Sequence, residues 1–436
     1  MSRRKIAIVI IILSVGLMLR LHNYSIYPQR GASSDEYTYS FLGISLLTRG
    51  VPESWSNLNA YPNLYHLTIR KLYFPMVFPY FDHPPLNGLL VGGWSILNNQ
   101  SSFDKVQLTT IRLVPIFLSI ISSLLVFLLG IKLFNYKTAV WALLIYSTAT
   151  IFVMNQRVVF AENLLTPLML GSIFLYVYRK KLTPKTTIII GVLSGLAFWT
   201  KELGITVFFT MLYLFLEDRR NTKSILLLVS LFLAFFIGYI GYGYYYDSDL
   251  FWKIISIQAA RPVGPETVLL LTSTPIIVNK VYYDGWYFFG FLSFFFALFD
   301  FNKYKILVVP AFVYFMLMVF SINKTGEMGW YIIPLFPFMA LFSADLLLES
   351  LKKQKQSWFI FLLLIFVGLY EIKYLYGENF GLTSLQFRIL LLMLFSPLII
   401  LRLLGKNNAF RILGNIWFYL LILGTIFLTF NYVHPA

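Results

Sequence analysis

The sequence contains no cysteine and few charged residues. Among its 436 residues, 12% are Asp, Glu, Lys or Arg. The absence of cysteine excludes disulfide bonds, iron–sulfur ligation and thiol nucleophiles. Because soluble globular proteins carry about 25% charged residues, this chain lacks the polar side chains that would cover a surface in water. We therefore predict that lipid is the solvent for most of its surface.

Apolar and aromatic residues are abundant instead. Hydrophobic residues make up 58% of the chain and aromatic residues 19%, and the mean hydropathy is +0.73. Apolar runs long enough to cross a bilayer predict an all-α polytopic membrane protein with about thirteen transmembrane helices. These runs lie near residues 5–21, 112–133, 138–154, 163–178, 186–200, 203–216, 223–244, 285–300, 305–321, 330–348, 357–375, 386–402 and 412–431.

Basic residues concentrate in every second connection between the predicted spans. The chain has 35 Lys and Arg against 19 Asp and Glu, a formal net charge of +16. In a soluble protein this excess would suggest nucleic acid, but the positive-inside rule explains an excess confined to alternate connections. We therefore expect a multi-pass protein of the plasma membrane with a cytoplasmic N-terminus and no nucleic-acid partner. The basic connections lie at Arg3–Lys5, Lys132–Lys137, Arg179–Lys185, Arg219–Lys223, Lys303–Lys305, Lys352–Lys355 and Arg402–Arg411.

Two connections on the opposite side are long, namely residues 22–111 and 245–284. Structureless loops of that size are uncommon and are usually functional. The sequence shows no internal repeat, which argues against a transporter built from inverted repeats. We therefore predict one membrane-embedded domain over residues 1–436, with its chemistry in these two outer loops.

The first outer loop contains a short helix that begins with two carboxylates. Ser33 and Glu36 have the spacing of a capping box, and Gly50 ends the helical pattern. This helix is too short to span a bilayer, so we expect it to lie along the interface. The helix dipole favours ionised Asp35 and Glu36 in the first turn. Asp35 is our main candidate for chemistry, whereas Glu36 is equally well explained as a helix-start residue.

A second polar motif, Asp82-His83-Pro84-Pro85-Leu86, follows in the same loop. The two prolines fix backbone angles and so hold Asp82 and His83 rigidly. An apolar stripe from Leu86 to Leu97 at helical spacing predicts a second interfacial helix. An acidic residue beside a histidine on a stiff loop is suited to bind either a divalent cation or a phosphate-linked sugar.

The order and sidedness of these motifs resemble the GT-C glycosyltransferases, in particular the protein O-mannosyltransferase and aminoarabinose transferase group. The resemblance covers roughly residues 5–345 and implies the GT-C fold. Further stretches that contribute to it are Arg112-Leu113-Val114-Pro115, Asn155-Gln156-Arg157, Ala161-Glu162-Asn163, Gly195–Lys201 and Glu327-Met328-Gly329-Trp330-Tyr331.

The resemblance implies an enzyme that takes a sugar from a polyprenyl phosphate. It transfers the sugar, with inversion, to an acceptor hydroxyl on the extracytoplasmic face. By motif match Asp35 is the base, and Glu36 orients the acceptor or a metal. Asp82 and His83 contact substrate or metal. The candidates for binding the phosphate of the sugar donor are Arg157, Lys201, Tyr331 and Lys324.

The sequence leaves the metal and the acceptor open. The basic residue that the aminoarabinose transferases have before Pro-Pro is His83 here, and the second outer loop contains no histidine. Both departures put a divalent cation in doubt. P-loop and Rossmann motifs are absent, so no nucleotide cofactor is expected. A protein, a lipid headgroup and a glycan all remain possible acceptors.

Two other functions compete with a glycosyltransferase. A transporter or lipid flippase would place its charged residues near the middle of the bilayer. In this sequence the centres of the predicted spans are nearly free of Asp and Glu, and the acidic residues gather in the outer loops. A polysaccharide polymerase or ligase would share the lipid-linked donor but use another acceptor. The distribution of acidic residues favours chemistry at the membrane surface over transport.

Overall fold

The computed structural model of the chain describes residues 2–28, 33, 35–62, 65–69, 72–179, 183–218, 222–260, 276–277, 280–281, 284–321, 329–352, 367–368 and 381–432. Over these ranges the chain is predominantly α-helical, with small antiparallel sheets in the two outer loops. Two features predicted from the sequence lie wholly or mostly outside them. They are Lys324 and the apolar run near 357–375.

The N-terminal half of the structure carries the first outer loop and the first spans. Helix α1 covers Arg3–Leu21, close to the predicted run. Within the loop, the helices predicted at Asp35 and Leu86 are both present. The elements of this half are α2 (Asp35–Arg49), β1 (Ser54–Trp55), β2 (Tyr65–Ile69), β3 (Leu72–Val77), α3 (Leu86–Leu97), α4 (Leu108–Ile111), α5 (Leu113–Leu133), α6 (Tyr136–Thr148), α7 (Thr150–Asn155), α8 (Ala161–Tyr178), α9 (Pro184–Thr200) and α10 (Ile205–Glu217).

The C-terminal half carries the second outer loop and the remaining described spans. Its elements are α11 (Thr222–Tyr246), α12 (Ser248–Ala259), β4 (Ile276–Ile277), β5 (Lys280–Val281), α13 (Gly285–Phe299), α14 (Phe301–Ser321), α15 (Phe336–Lys352), α16 (Ser384–Leu403) and α17 (Asn407–Asn431). A short 3₁₀ helix, Gly329–Leu335, precedes α15.

Six helices in the described residues are long and apolar enough to cross a membrane. This finding confirms the predicted class, an all-α polytopic membrane protein, whereas the number thirteen stays a prediction. The six are Leu108–Leu133, Thr222–Tyr246, Phe301–Ser321, Trp330–Ser350, Ser384–Leu401 and Asn408–Asn431.

The run predicted near 138–154 is divided into α6 and α7 at Ala149. Backbone groups freed by such a break need partners inside the protein, because lipid offers none. The Asp284 carboxylate accepts a hydrogen bond from the Ile151 amide at 2.7 Å, and the Thr429 hydroxyl donates to the Thr148 carbonyl at 2.9 Å. The break is thus stabilised by α13 and α17.

Helices α2 and α3 cross at glycines, and this crossing holds the first outer loop together. A Cβ atom on Gly92 would lie 2.4 Å from the carbonyl carbon of Gly43, and one on Gly43 would lie 1.8 Å from the carbonyl oxygen of Gly88. The two backbones therefore approach closely only because side chains are absent. The short helix predicted at Asp35 is present, and every residue of α2 from Glu36 to Ser45 is buried within the protein.

We predict that Gly92→Ala destabilises the protein by about 1–3 kcal/mol, because the added methyl group clashes with backbone atoms of α2, which cannot move as a side chain can. Gly93→Ala is the matched control, since its Cβ would lie 3.5 Å from the Leu47 side chain, an ordinary contact. Both variants gain the same helix propensity. Thermal unfolding in detergent micelles compares them, and equal midpoints would contradict the close crossing.

The first outer loop also forms a three-stranded antiparallel sheet in the order β1-β3-β2. Ser54 pairs with Val77, and Tyr65 pairs with Met76. The sheet packs against α2 through Trp55, Phe74 and Met76, which belong to one buried core with Tyr37. This packing brings β1 beside the first turn of α2.

Candidate active site

A polar cavity of about 190 Å³ lies where the start of α2 meets the segment before α3. It brings together Asp35, Asp82 and His83, the three residues that the two sequence motifs singled out. Residues from β1, from the loop after it and from α12 complete the wall. The lining consists of Asp35, Thr38, Trp55, Ser56, Asn57, Leu58, Tyr80, Asp82, His83 and Gln258.

Asp82 is held by hydroxyl groups. The Ser56 hydroxyl donates to one carboxylate oxygen at 2.6 Å, and the Tyr61 hydroxyl donates to the other at 2.7 Å. The Gln258 side-chain amide donates to the Asp82 backbone carbonyl at 2.7 Å. Gln258 lies in α12, so this contact joins the second outer loop to the first. The rigidity that the sequence assigned to prolines therefore also comes from these hydrogen bonds.

Asp35 is partly exposed and borders the cavity. Burial raises the pKa of its carboxyl from 3.8 to about 6; nearby Lys201 opposes the rise, and Glu162, Asp82 and Glu36 add to it. The sequence predicted a carboxylate favoured by the helix dipole, but loss of hydration outweighs that effect here. The group is still mostly ionised at neutral pH, and its pKa suits a general base.

Glu36 points away from the cavity into a fully buried ion pair with Arg112. The guanidinium donates two hydrogen bonds to the carboxylate, at 2.8 and 2.7 Å. Arg112 also donates to the backbone carbonyls of Tyr24 and Pro28. The Glu36 oxygens are thus bound by Arg112, and the pair joins the first turn of α2 to the start of α5. A catalytic part for Glu36 stays a prediction.

His83 lies between two tyrosines. Its ring stacks on Tyr39 with centroids 5.3 Å apart and meets the edge of Tyr80 at 6.4 Å. The ring is part-buried and lines the cavity beside Asp82. His83 is therefore the basic side chain that the described structure places on the cavity wall.

Lys201 forms a buried ion pair with Glu162. Glu162 lies in α8, so the contact joins the end of α9 to α8 and not to the chain neighbour Glu202. The Lys201 ammonium also lies 3.9 Å from the centre of the Tyr331 ring, so both predicted phosphate ligands are near one another. Only 5% of Lys201 is exposed. Neither residue lines the cavity as it stands.

Arg157, another predicted phosphate ligand, does not line the cavity. The Arg157 guanidinium is buried and donates to the backbone carbonyls of Leu19 and Tyr27. These bonds tie the turn between α7 and α8 to the end of α1. Phosphate binding by Arg157 stays a prediction. Lys324 lies outside the described residues.

The sequence left a divalent cation at this cavity open. Within the described ranges no group of three or more His, Asp or Glu side chains is placed to hold a metal. The Asp82 carboxylate already accepts from two hydroxyls. We therefore derive no step of the chemistry through a metal.

The sequence did not point to Ser56, Tyr61 or Gln258, which position Asp82 from distant parts of the chain. Single Ser, Tyr and Gln residues in loops carry no spacing signal. The one sequence feature that related Gln258 to Asp82 was the prediction that both long loops lie on the same side of the membrane.

Three comparisons place the chain among known proteins. Residues 82–241 match the family model described as dolichyl-phosphate-mannose-protein mannosyltransferase. No curated protein matches the chain.

Among solved structures, the chain is similar to ArnT from Cupriavidus metallidurans in the apo state. The identity is 14% and the TM-score 0.56, covering 97% of this chain and 76% of ArnT. The structure of the same ArnT bound to undecaprenyl phosphate matches with 13% identity and a TM-score of 0.55, and the shares of the two chains that are covered are the same. A third similar structure is the archaeal oligosaccharyltransferase AglB from Archaeoglobus fulgidus, in complex with an inhibitory peptide and a dolichol-phosphate. Its identity to this chain is 11% and the TM-score is 0.51. That match covers 100% of this chain and 56% of AglB. The chain has the fold of these membrane proteins and, as the motifs predicted, resembles the protein O-mannosyltransferase and ArnT group of GT-C glycosyltransferases.

Proposed function

We propose that the protein transfers a sugar from a polyprenyl phosphate to an acceptor hydroxyl, with inversion, on the extracytoplasmic face of the plasma membrane. The observation that carries the proposal is the cavity in which Asp35, Asp82 and His83 meet. The resemblance to ArnT, one structure of which is bound to undecaprenyl phosphate, supports a lipid-phosphate donor.

The cavity supplies what an inverting transfer needs. Asp35 accepts the proton of the acceptor hydroxyl while the acceptor oxygen attacks the anomeric carbon from the face opposite the phosphate. The bond between that carbon and the phosphate oxygen breaks, and its electron pair leaves with the polyprenyl phosphate. His83 lies on the wall of the same cavity, where a donated hydrogen bond stabilises the departing anion. Asp82, held by Ser56 and Tyr61, orients sugar hydroxyls.

An apolar groove supports a lipid-borne donor. It has a volume of about 880 Å³ and lies between α1, α3 and α5. Helix α3 begins three residues after His83, so one helix connects the polar cavity to this groove. We assign the groove to the prenyl chain, because its almost wholly apolar wall offers a hydrocarbon chain the same kind of surroundings as the bilayer it comes from. Its lining is Leu17, Leu21, Leu89, Leu90, Gly93, Trp94, Leu97, Leu113, Val114, Ile116, Phe117, Leu118 and Ile120.

The distribution of charged residues along the chain supports an extracytoplasmic location for the cavity. Asp35 and Asp82 follow α1 in the chain, whereas Arg3, Arg4 and Lys5 lie at its other end. Since α1 has 19 residues, these ends are about 28 Å apart along the helix axis. With the basic end in the cytoplasm, the cavity opens on the opposite side.

The test uses the purified protein in lipid nanodiscs with a set of radiolabelled polyprenyl-phosphate monosaccharides. Protein, lipid and glycan acceptors are added separately. We expect release of unlabelled polyprenyl phosphate together with label in one acceptor, and an anomeric configuration opposite to that of the donor. If no donor is consumed, and the lipid instead crosses between leaflets in proteoliposomes, the protein is a flippase.

A further inference from the structure

The ion pair between Glu162 and Lys201 takes no part in the transfer described above. Both side chains are almost fully buried, with 1% of Glu162 and 5% of Lys201 exposed. Burying two charges in a low-dielectric interior is costly, and such a pair adds little net stability compared with apolar residues of the same size. Ionisable residues within a membrane bundle are a functional hypothesis by default.

The segment that leads into Glu162 contacts the start of α2, where Asp35 is found. The Val159 amide donates to the Glu36 carboxylate at 3.3 Å, and Glu162 follows three residues later in the first turn of α8. Val159 and Ala161 also share a buried core with Tyr39 of α2. The extended turn before α8 thus joins the first turn of α8, which contains Glu162, to the first turn of α2, which contains Asp35.

Lys201 is fixed from the other side. It ends α9, and its ammonium lies over the Tyr331 ring. Tyr331 is in turn held by the Tyr314 hydroxyl, which donates to its backbone carbonyl at 2.8 Å. The Lys201 ammonium is therefore held between α9, the 3₁₀ helix that contains Tyr331, and α14, which contains Tyr314.

We propose that Lys201 and Glu162 are positioning residues that set the electrostatic field at the Asp35 carboxylate, with opposite signs. Lys201 favours the ionised form of Asp35 that accepts a proton, and Glu162 holds Lys201 in place while opposing its field. This inference rests on the proposed function, because it gives Asp35 the part of the base.

The charges around Asp35 are consistent with this assignment. Its pKa is raised to about 6, first by burial, and of the neighbouring charges Lys201 lowers it while Glu162, Asp82 and Glu36 raise it. Arg112 offsets Glu36 at contact distance. Further titratable groups around Asp35 and its neighbours are His83, Tyr39, Tyr80, Tyr61, Glu202 and Tyr331.

The test compares the pH dependence of sugar transfer in the wild type, Lys201→Gln and Glu162→Gln. An opposite charge nearby shifts a carboxyl pKa by one unit or more. Lys201→Gln is therefore expected to move the acidic limb of the rate profile up by about one pH unit, and Glu162→Gln to move it down. A pair with a merely structural role would lower both rates and leave the limb unmoved, which would overturn the proposal.

Two further variants keep the test decisive if either single variant folds poorly. Lys201→Gln with Glu162→Gln removes both charges, so its acidic limb is expected between those of the single variants. Lys303→Gln breaks the ion pair with Asp345, which lies in α15 away from the cavity, and should leave the limb unmoved. A shifted limb in this control would count against a specific field from Lys201.

A direct titration separates this inference from the proposed function. The ¹³C shift of the Asp35 carboxyl, assigned as the signal missing in Asp35→Asn, reports its protonation whether or not sugar is transferred. If the wild type transfers no sugar but the signal shifts in opposite directions in the two variants, the proposed function fails and the field assignment stands. If transfer occurs and the signal does not shift, the field assignment fails alone.

Discussion

Replacing Asp35 by asparagine is expected to lower the rate of sugar transfer by a factor of about 10²–10⁴, the contribution of a general base. Asparagine has nearly the same size, so it preserves the cavity but cannot accept the proton of the acceptor hydroxyl. Binding of the polyprenyl-phosphate donor should change little, because the phosphate leaves on the opposite side of the sugar. The measurement is the initial rate of polyprenyl phosphate release at saturating donor and acceptor.

Asp104→Asn is the matched control. Asp104 lies in the same outer loop but is exposed and does not line the cavity. Its removal changes the net charge of the loop as Asp35→Asn does, and it should leave the rate within a factor of two of wild type. If both variants keep the wild-type rate with every donor sugar, Asp35 is not the base.

The pH dependence gives an independent check of the same role. The base must be ionised to accept a proton, so the wild-type rate should rise with pH and level off above the Asp35 pKa of about 6. The residual rate of Asp35→Asn should lack this limb. A wild-type rate that falls through the same range would require Asp35 to act in its protonated form instead.

The sequence predicted the elements that carry the site because their signals are local. An apolar run gave α1, and helix-start residues gave α2 at Asp35 and α3 at Leu86. It also predicted that Asp35 and Asp82 lie on one side of the membrane. Two short helices of one loop must pack on each other to bury their apolar faces. Because α2 and α3 were predicted on the same side of the membrane, this packing brings the Asp35 and Asp82 motifs together.

The partners of the charged residues could not be predicted in the same way. Glu36 pairs with Arg112, which is 76 residues away, and Lys201 pairs with Glu162 rather than with its neighbour Glu202. Such pairs depend on how helices cross, and the crossing of α2 and α3 depends on glycines whose spacing alone gave no signal. The backbone contacts of Arg157 could not be predicted for the same reason, since a basic residue at an outer turn can serve either backbone carbonyls or a ligand.

Arg112→Met is expected to destabilise the protein by about 3–5 kcal/mol, because it leaves the Glu36 carboxylate buried without its counter-charge. Glu36 and Arg112 are both fully buried, so water cannot replace the lost partner. The backbone carbonyls of Tyr24 and Pro28 also lose their hydrogen-bond donor. Thermal unfolding in nanodiscs should show a lower midpoint, and transfer activity should fall with the folded fraction.

Glu36→Gln and the double variant Arg112→Met with Glu36→Leu separate a structural role from a catalytic one. Glutamine still accepts a hydrogen bond from Arg112, so Glu36→Gln should destabilise less than Arg112→Met and retain transfer once folded. The double variant removes both charges and should recover much of the lost stability, since an apolar pair can replace a buried ion pair. If Glu36→Gln were as stable as wild type but inactive, Glu36 would take part in the reaction despite its contacts. Asp35 directly precedes Glu36 in the chain. The activity of folded Glu36→Gln therefore decides whether Glu36 takes part in the proton transfer or only holds Asp35 in position.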